Sequence, residues 1–104
     1  MKRYQVIVLP RAANMMCSHI QFLSKVSIPA AKKLEKQFID TVRELEENPF
    51  QFPIDQTVQF PECSYRKALF GRNCKVLFYI EEQTVFMDAV VDCRMNPDAD
   101  WRKL

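Results

Sequence analysis

The sequence predicts an α+β domain: an N-terminal strand, then an α-helical hairpin packed on one face of a mainly antiparallel four-stranded sheet. Three observations carry that prediction. Residues 4–9, Tyr-Gln-Val-Ile-Val-Leu, are rich in β-branched and aromatic types and close at Pro10. Residues 11–45 carry two apolar stripes at helical spacing, and from Ser64 onward short apolar segments alternate with turn residues. The chain has 104 residues, 48% hydrophobic and 27% charged, which is enough for one modest core and leaves no room for a second domain.

The first helix is expected over residues 11–25, where Ala12, Met16, Ile20 and Leu23 form one stripe, and residues 24–27 should break it. Ser27 as N-cap and Pro29 in the first turn should start a second helix. Its stripe is Ala31, Leu34, Phe38, Val42 and Leu45, and Asn48-Pro49 stops it. On this helix Lys32, Lys33 and Lys36 precede Glu44, Glu46 and Glu47, opposite to the preference of the helix dipole, and read as a solvated face. Residues 49–63, with Pro49, Pro53 and Pro61 among Phe50, Phe52, Ile54 and Phe60, are expected to form a loop draped over the core.

The C-terminal part should hold a three-stranded meander. Gly71-Arg72-Asn73 joins residues 64–70 to 74–80, and Glu82-Gln83 joins these to 84–92. These turns place Phe70 opposite Cys74, Ala68 opposite Val76, Tyr79 opposite Phe86 and Leu77 opposite Asp88. Parity then separates two faces. The apolar one, under the helices, collects Arg66, Ala68, Phe70, Cys74, Val76, Phe78, Ile80, Val85, Met87, Ala89 and Val91. The other interleaves charges with apolar groups: Tyr65, Lys67, Leu69, Lys75, Leu77, Tyr79, Phe86, Asp88, Val90, Asp92 and Arg94. A second turn of odd length would invert the third strand.

A net charge of +2 is far from the strongly basic balance of a general nucleic-acid binder, so any anion must be met by local arrangement. Cys17, Cys63, Cys74 and Cys93 form no CxxC pair, and His19 is the only histidine, so no zinc site is expected and the thiols read as free. Neither a metal nor an organic cofactor is implied. With no second histidine beside it, His19 reads as a helix-flank residue. The opening MKRYQVIVLPR is too short in apolar residues for a signal peptide, and nothing approaches a membrane span, so a cytoplasmic protein without a membrane partner is expected.

Arg66, Lys67, Arg72 and Lys75 lie between Ser64 and Lys75 with no acid among them. On a rigid sheet beside tyrosines, such cations can hold phosphates and stabilise the charge that develops when a ribose 2′-oxygen attacks its phosphate. Lysines on an open sheet face also serve solubility. Asp88, diagonal to Lys75, and Asp92, beside Arg94, read as cross-strand ion-pair partners or as weak general bases.

The order of these elements, with Tyr-Arg-Lys-Ala-Leu-Phe at 65–70, Cys-Lys-Val-Leu-Phe-Tyr-Ile at 74–80 and Val-Val-Asp-Cys-Arg-Met-Asn-Pro at 90–97 before Trp101, resembles the RelE/ParE superfamily of type II toxins. The resemblance extends to the opening strand and to Leu-Glu-Glu-Asn-Pro-Phe at 45–50. It implies a toxin neutralised by a cognate antitoxin, acting either on messenger RNA in the ribosome, without a metal, or on DNA gyrase. A non-catalytic binding module of the same fold is the alternative. By matching positions Lys67, Lys75 and Arg94 would be the catalytic cations. Tyr65, Arg66, Arg72, Tyr79 and Trp101 would hold the substrate. The chain departs from the nuclease pattern at Leu69, where a second lysine is expected, at Lys75, which stands for an arginine, and at Arg94, one position early. Its tail has no tyrosine.

Overall fold

Pro10 separates the first strand from the first helix, because its fixed φ and missing N–H suit the first helical turn and not a continuing ladder. A computed structural model describes residues 3–59, 64–71 and 74–92. Strand β1 spans Gln5–Val8, helix α1 Pro10–Val26 and helix α2 Ile28–Glu47. A 3-10 turn follows at Pro49–Gln51, then β2 (Ile54–Gln59), β3 (Ser64–Phe70), β4 (Cys74–Glu81) and β5 (Thr84–Asp92). The α+β class and the helical hairpin on a sheet are as the sequence predicts.

The break between the helices is a single residue. Ser27 gives its backbone N–H to the Leu23 carbonyl at 2.8 Å, ending α1, and its hydroxyl accepts from the Ala30 N–H at 3.2 Å, starting α2. Both expected stripes face the sheet. Ala12, Met16, Ala31, Leu34 and Leu45 are buried, while Ile20, Leu23, Phe38 and Val42 pack partly exposed at the margin. Their counterparts on the sheet are Ala68, Phe70, Cys74, Val76, Phe78, Val85, Met87 and Val90.

The sheet has five strands, not four, in the order β1-β5-β4-β3-β2. β1 runs parallel to β5, with Gln5 beside Thr84 and Val8 beside Met87, and the other pairs are antiparallel. The extra strand is β2, which lies inside the segment expected to be a loop. Its six residues contain no proline, since Pro53 and Pro61 stand outside it, and as an edge strand it pairs only with β3. That pairing is irregular: Ile54 lies opposite Arg66 and Gln59 opposite Ser64, with a register shift between.

Gly71 opens the β3–β4 turn at a φ of +60°, and a Cβ there would sit 3.2 Å from the Gln37 Oε1 and 3.4 Å from the Leu34 Cδ1 on α2. Both the conformation and the close approach of the helix call for glycine. The β4–β5 turn is Glu82-Gln83, with Glu81 opposite Thr84 and Glu82 at a φ of 55°. Here a side chain accepts the left-handed conformation that a two-residue hairpin needs.

One correction follows from β5. Tyr79 lies opposite Phe86 as expected, but Leu77 lies opposite Ala89, and Asp88 is an extra residue in the ladder between Met87 and Ala89. The bulge inverts the rest of the strand. Val90 therefore joins the helix-covered core, while Ala89 and Val91 move to the other face with Leu77 and Tyr65. Beyond Met87 the outer edge of β5 has outrun β1, and α1 runs along it: Leu9 N–H bonds the Met87 carbonyl at 3.0 Å, and His19 Nε2 donates to the Val90 carbonyl at 3.0 Å. His19 is thus a cap on a strand edge. Cys17 is exposed as a free thiol.

The burial pattern grades the cost of truncation along α2. Leu45→Ala, at a fully buried position, should cost about 3–4 kcal/mol, and Phe38→Ala, at the half-buried margin against Phe70, about 2 kcal/mol. Chemical denaturation of both variants checks the order; equal losses would contradict it.

Candidate functional site

Three parallel rows of side chains leave the sheet on the side opposite the helices, because alternation sends every second residue of β3, β4 and β5 that way. From β3 come Tyr65, Lys67 and Leu69, from β4 Lys75, Leu77, Tyr79 and Glu81, and from β5 Thr84, Phe86, Asp88, Ala89 and Val91. Lys67 lies opposite Leu77, and Leu69 opposite Lys75. Lys67 and Lys75 do share this open face, as expected from parity.

The face has an apolar centre and an aromatic row. Tyr65, Leu77 and Ala89 are buried there, with Met15 of α1, Tyr79 and Val91 packed against them. The Tyr65 and Tyr79 rings meet edge to face at 5.5 Å, and the Tyr79 and Phe86 rings stack at 5.2 Å with 20° between planes. Cross-strand aromatic pairs of this kind fix register and rigidify the surface.

Two polar clasps cross the face, each spanning one intervening strand. The Tyr65 hydroxyl of β3 donates to the Asp88 Oδ2 of β5 at 2.7 Å, passing over β4. The bulge aims Asp88 there, so its expected diagonal contact with Lys75 is replaced by the tyrosine. The Lys75 Nζ of β4 donates to the Asp55 Oδ2 of β2 at 3.0 Å, passing over β3. Asp55 is 1% exposed and the Lys75 side chain 21%, so this is a largely desolvated ion pair. Asp55 sits in the segment read as a loop, and its role was not foreseen; an acid set among Ile54, Val58 and Phe60 was the available signal.

The remaining candidates divide. Lys67 is half-buried, and its ammonium has no partner among the described residues. Arg66 points to the helix side, where Nη1 donates to the Phe52 carbonyl at 2.6 Å and the guanidinium lies 5.2 Å from the Phe50 ring centre. It fastens the segment before β2 and is not brought together with Lys67 and Lys75. Arg72, Arg94 and Trp101, and the Asp92–Arg94 pairing, lie outside what the described residues cover. No group of three potential metal ligands occurs among the described residues, and no helix is long and apolar enough to cross a membrane.

No protein-family model matches the chain, and no curated protein does. Among solved structures it is similar to a chain of the chromosomal ParDE TA system from P. aeruginosa, with a TM-score of 0.69, 14% identical residues, and coverage of 88% of this chain and 98% of that one. The fold is therefore shared with that chain of a ParDE system, and it is the α+β arrangement that the motif order predicts.

The desolvated pair gives a direct energetic expectation. Lys75→Gln strands the Asp55 carboxylate in a buried place and should cost about 3 kcal/mol. Asp55→Asn combined with Lys75→Gln replaces the ions by two amides able to bond each other and should restore most of that loss. Urea melts of both variants measure it; a double variant less stable than the single one would contradict the pairing.

Proposed function

We propose that this chain is the toxin of a type II toxin–antitoxin pair, and that it poisons DNA gyrase in the manner of ParE and does not cut RNA. The observation that carries the toxin reading is the fold, shared over 98% of a chain from a ParDE system. Its cognate antitoxin would lie over the open face and the helical hairpin. Both offer apolar anchors beside cations: Leu69 is 66% exposed next to Lys75, and Phe22 and Val26 are exposed near Lys25 at the hairpin tip. A segment that orders on binding is suited to such a spread of anchors.

The choice of target rests on Lys75. Metal-free cleavage of RNA asks for several unengaged cations around the reacting phosphate. Lys75 is already held by Asp55, Leu69 stands in place of a lysine, and Arg66 is turned to the other side of the sheet. Catalysis by Lys67, Lys75 and Arg94 would first require Lys75 to be released.

Induced expression should arrest growth, co-expression with the product of the neighbouring reading frame should relieve the arrest, and the arrested cells should contain broken DNA and intact messenger RNA. Arrest with messenger RNA cut on the ribosome would replace the gyrase reading by the nuclease one. Unimpaired growth at confirmed expression would defeat the toxin reading.

A further inference from the structure

We propose that Asp55 determines the ligand class of the open face: by holding Lys75 it turns a surface that would attract polyanions into one that fits a protein. This deepens the preceding reading, in which the target is a protein, yet its test below uses binding alone and stands or falls separately from the growth assay.

Charge is the first argument. Among the described residues the open face carries Lys67 and Lys75 against Asp55, Asp88 and, at the end of β4, Glu81, so the lysines are outnumbered by acids three to two. Geometry is the second. The Lys75 ammonium is drawn 3.0 Å from a carboxylate that is 1% exposed. An approaching phosphate would have to share that ammonium with a buried anion of its own sign, and repulsion at such range in a poorly solvated place is severe. Asp88 adds a second acid beside the aromatic row, where the backbone of any nucleotide stacked on Tyr79 would pass.

What remains after this neutralisation has the composition of a protein-binding surface. Leu69 is 66% exposed at one end of the face, half-buried Tyr79 and Phe86 form the aromatic row at the other, and between them Lys67 has no partner among the described residues. Aromatic and aliphatic anchors with few net charges are what interface centres select. Removing the acid should undo the selection. Asp55→Asn keeps the shape and a hydrogen-bond acceptor for Lys75 and removes the acid that holds it, leaving two unneutralised lysines on adjacent strands, Lys67 on β3 and Lys75 on β4, with Glu81 at the far end of the face.

The experiment measures binding of a short fluorescein-labelled polyadenylate RNA by anisotropy over a range of salt concentrations. Asp55→Asn should bind about three- to tenfold more tightly than wild type at low salt, with a log K against log salt slope steeper by about 0.7, the value of one added phosphate contact on a single strand. Asp40→Asn, the same charge change on the exposed side of α2, should produce no such gain. Adding Lys75→Gln to Asp55→Asn should abolish it. If Asp55→Asn alone does not fold, the amide pair Asp55→Asn/Lys75→Gln carries the test, because it should bind RNA as wild type does. A folded Asp55→Asn variant with unchanged affinity would overturn the proposal. So would an amide-pair variant that binds more than about threefold more weakly than wild type, since Lys75 would then already contact phosphate in the native face.

Discussion

The single inserted residue in β5 decides what both faces of the sheet contain. Side chains alternate along a strand, so an extra residue at Asp88 reverses every position after it. Val90 is thereby delivered to the core beneath the helices, and Ala89 and Val91 join Leu77 and Tyr65 on the opposite face. Leu77, Phe78 and Ala89 are all fully buried, although Leu77 and Ala89 point away from Phe78. The central strands are thus dry on both sides, a condition more usual in sheets covered by helices on each face. The same insertion frees Asp88 from ladder pairing and turns it toward the Tyr65 hydroxyl.

Around that core the edge strand β2 is held by side chains more than by its own ladder. Its pairing to β3 slips between Ile54 and Gln59. Fastening comes from both directions instead. Arg66 grips the Phe52 carbonyl from the helix side, Lys75 holds Asp55 from the open side, and the Lys67 N–H bonds the Pro53 carbonyl at 3.0 Å. Two of the four cations that look, in one dimension, like an anion site, Arg66 and Lys75, are therefore engaged in holding β2 and the segment before it. A desolvated ion pair contributes little net stability over an apolar pair of the same shape, but it fixes which residues meet. Here it also fixes the electrostatic character of the exposed surface.

The helical hairpin was legible in the sequence because caps and stripes act locally: Ser27, Pro29 and the i, i+3, i+4 spacing each specify structure within one or two turns. The meander turns were legible for the same reason, Gly71 supplying the positive φ that its turn demands. The bulge was not. Ala89-Val90-Val91 is apolar throughout, so either parity satisfies it, and only the packing of α1 against β5 distinguishes them. β2 was hidden by the prolines that bound it, and with it went Asp55, whose partner is remote in sequence and two strands away. Sharing a face was correctly inferred for Lys67 and Lys75; being available on that face depends on a residue from another strand. Arg72, Arg94 and Trp101 fall outside the described residues, and their expected roles are not tested by the fold.

The proposed reading makes the open face a surface for protein contact and not for RNA chemistry. Its most direct test is a reconstitution with purified components, in which the chain is added to DNA gyrase with supercoiled plasmid and, in parallel, to ribosomes translating a defined message. The expected result is gyrase-dependent linear plasmid, with the message left intact. Cleavage of the message together with undisturbed gyrase activity would contradict it.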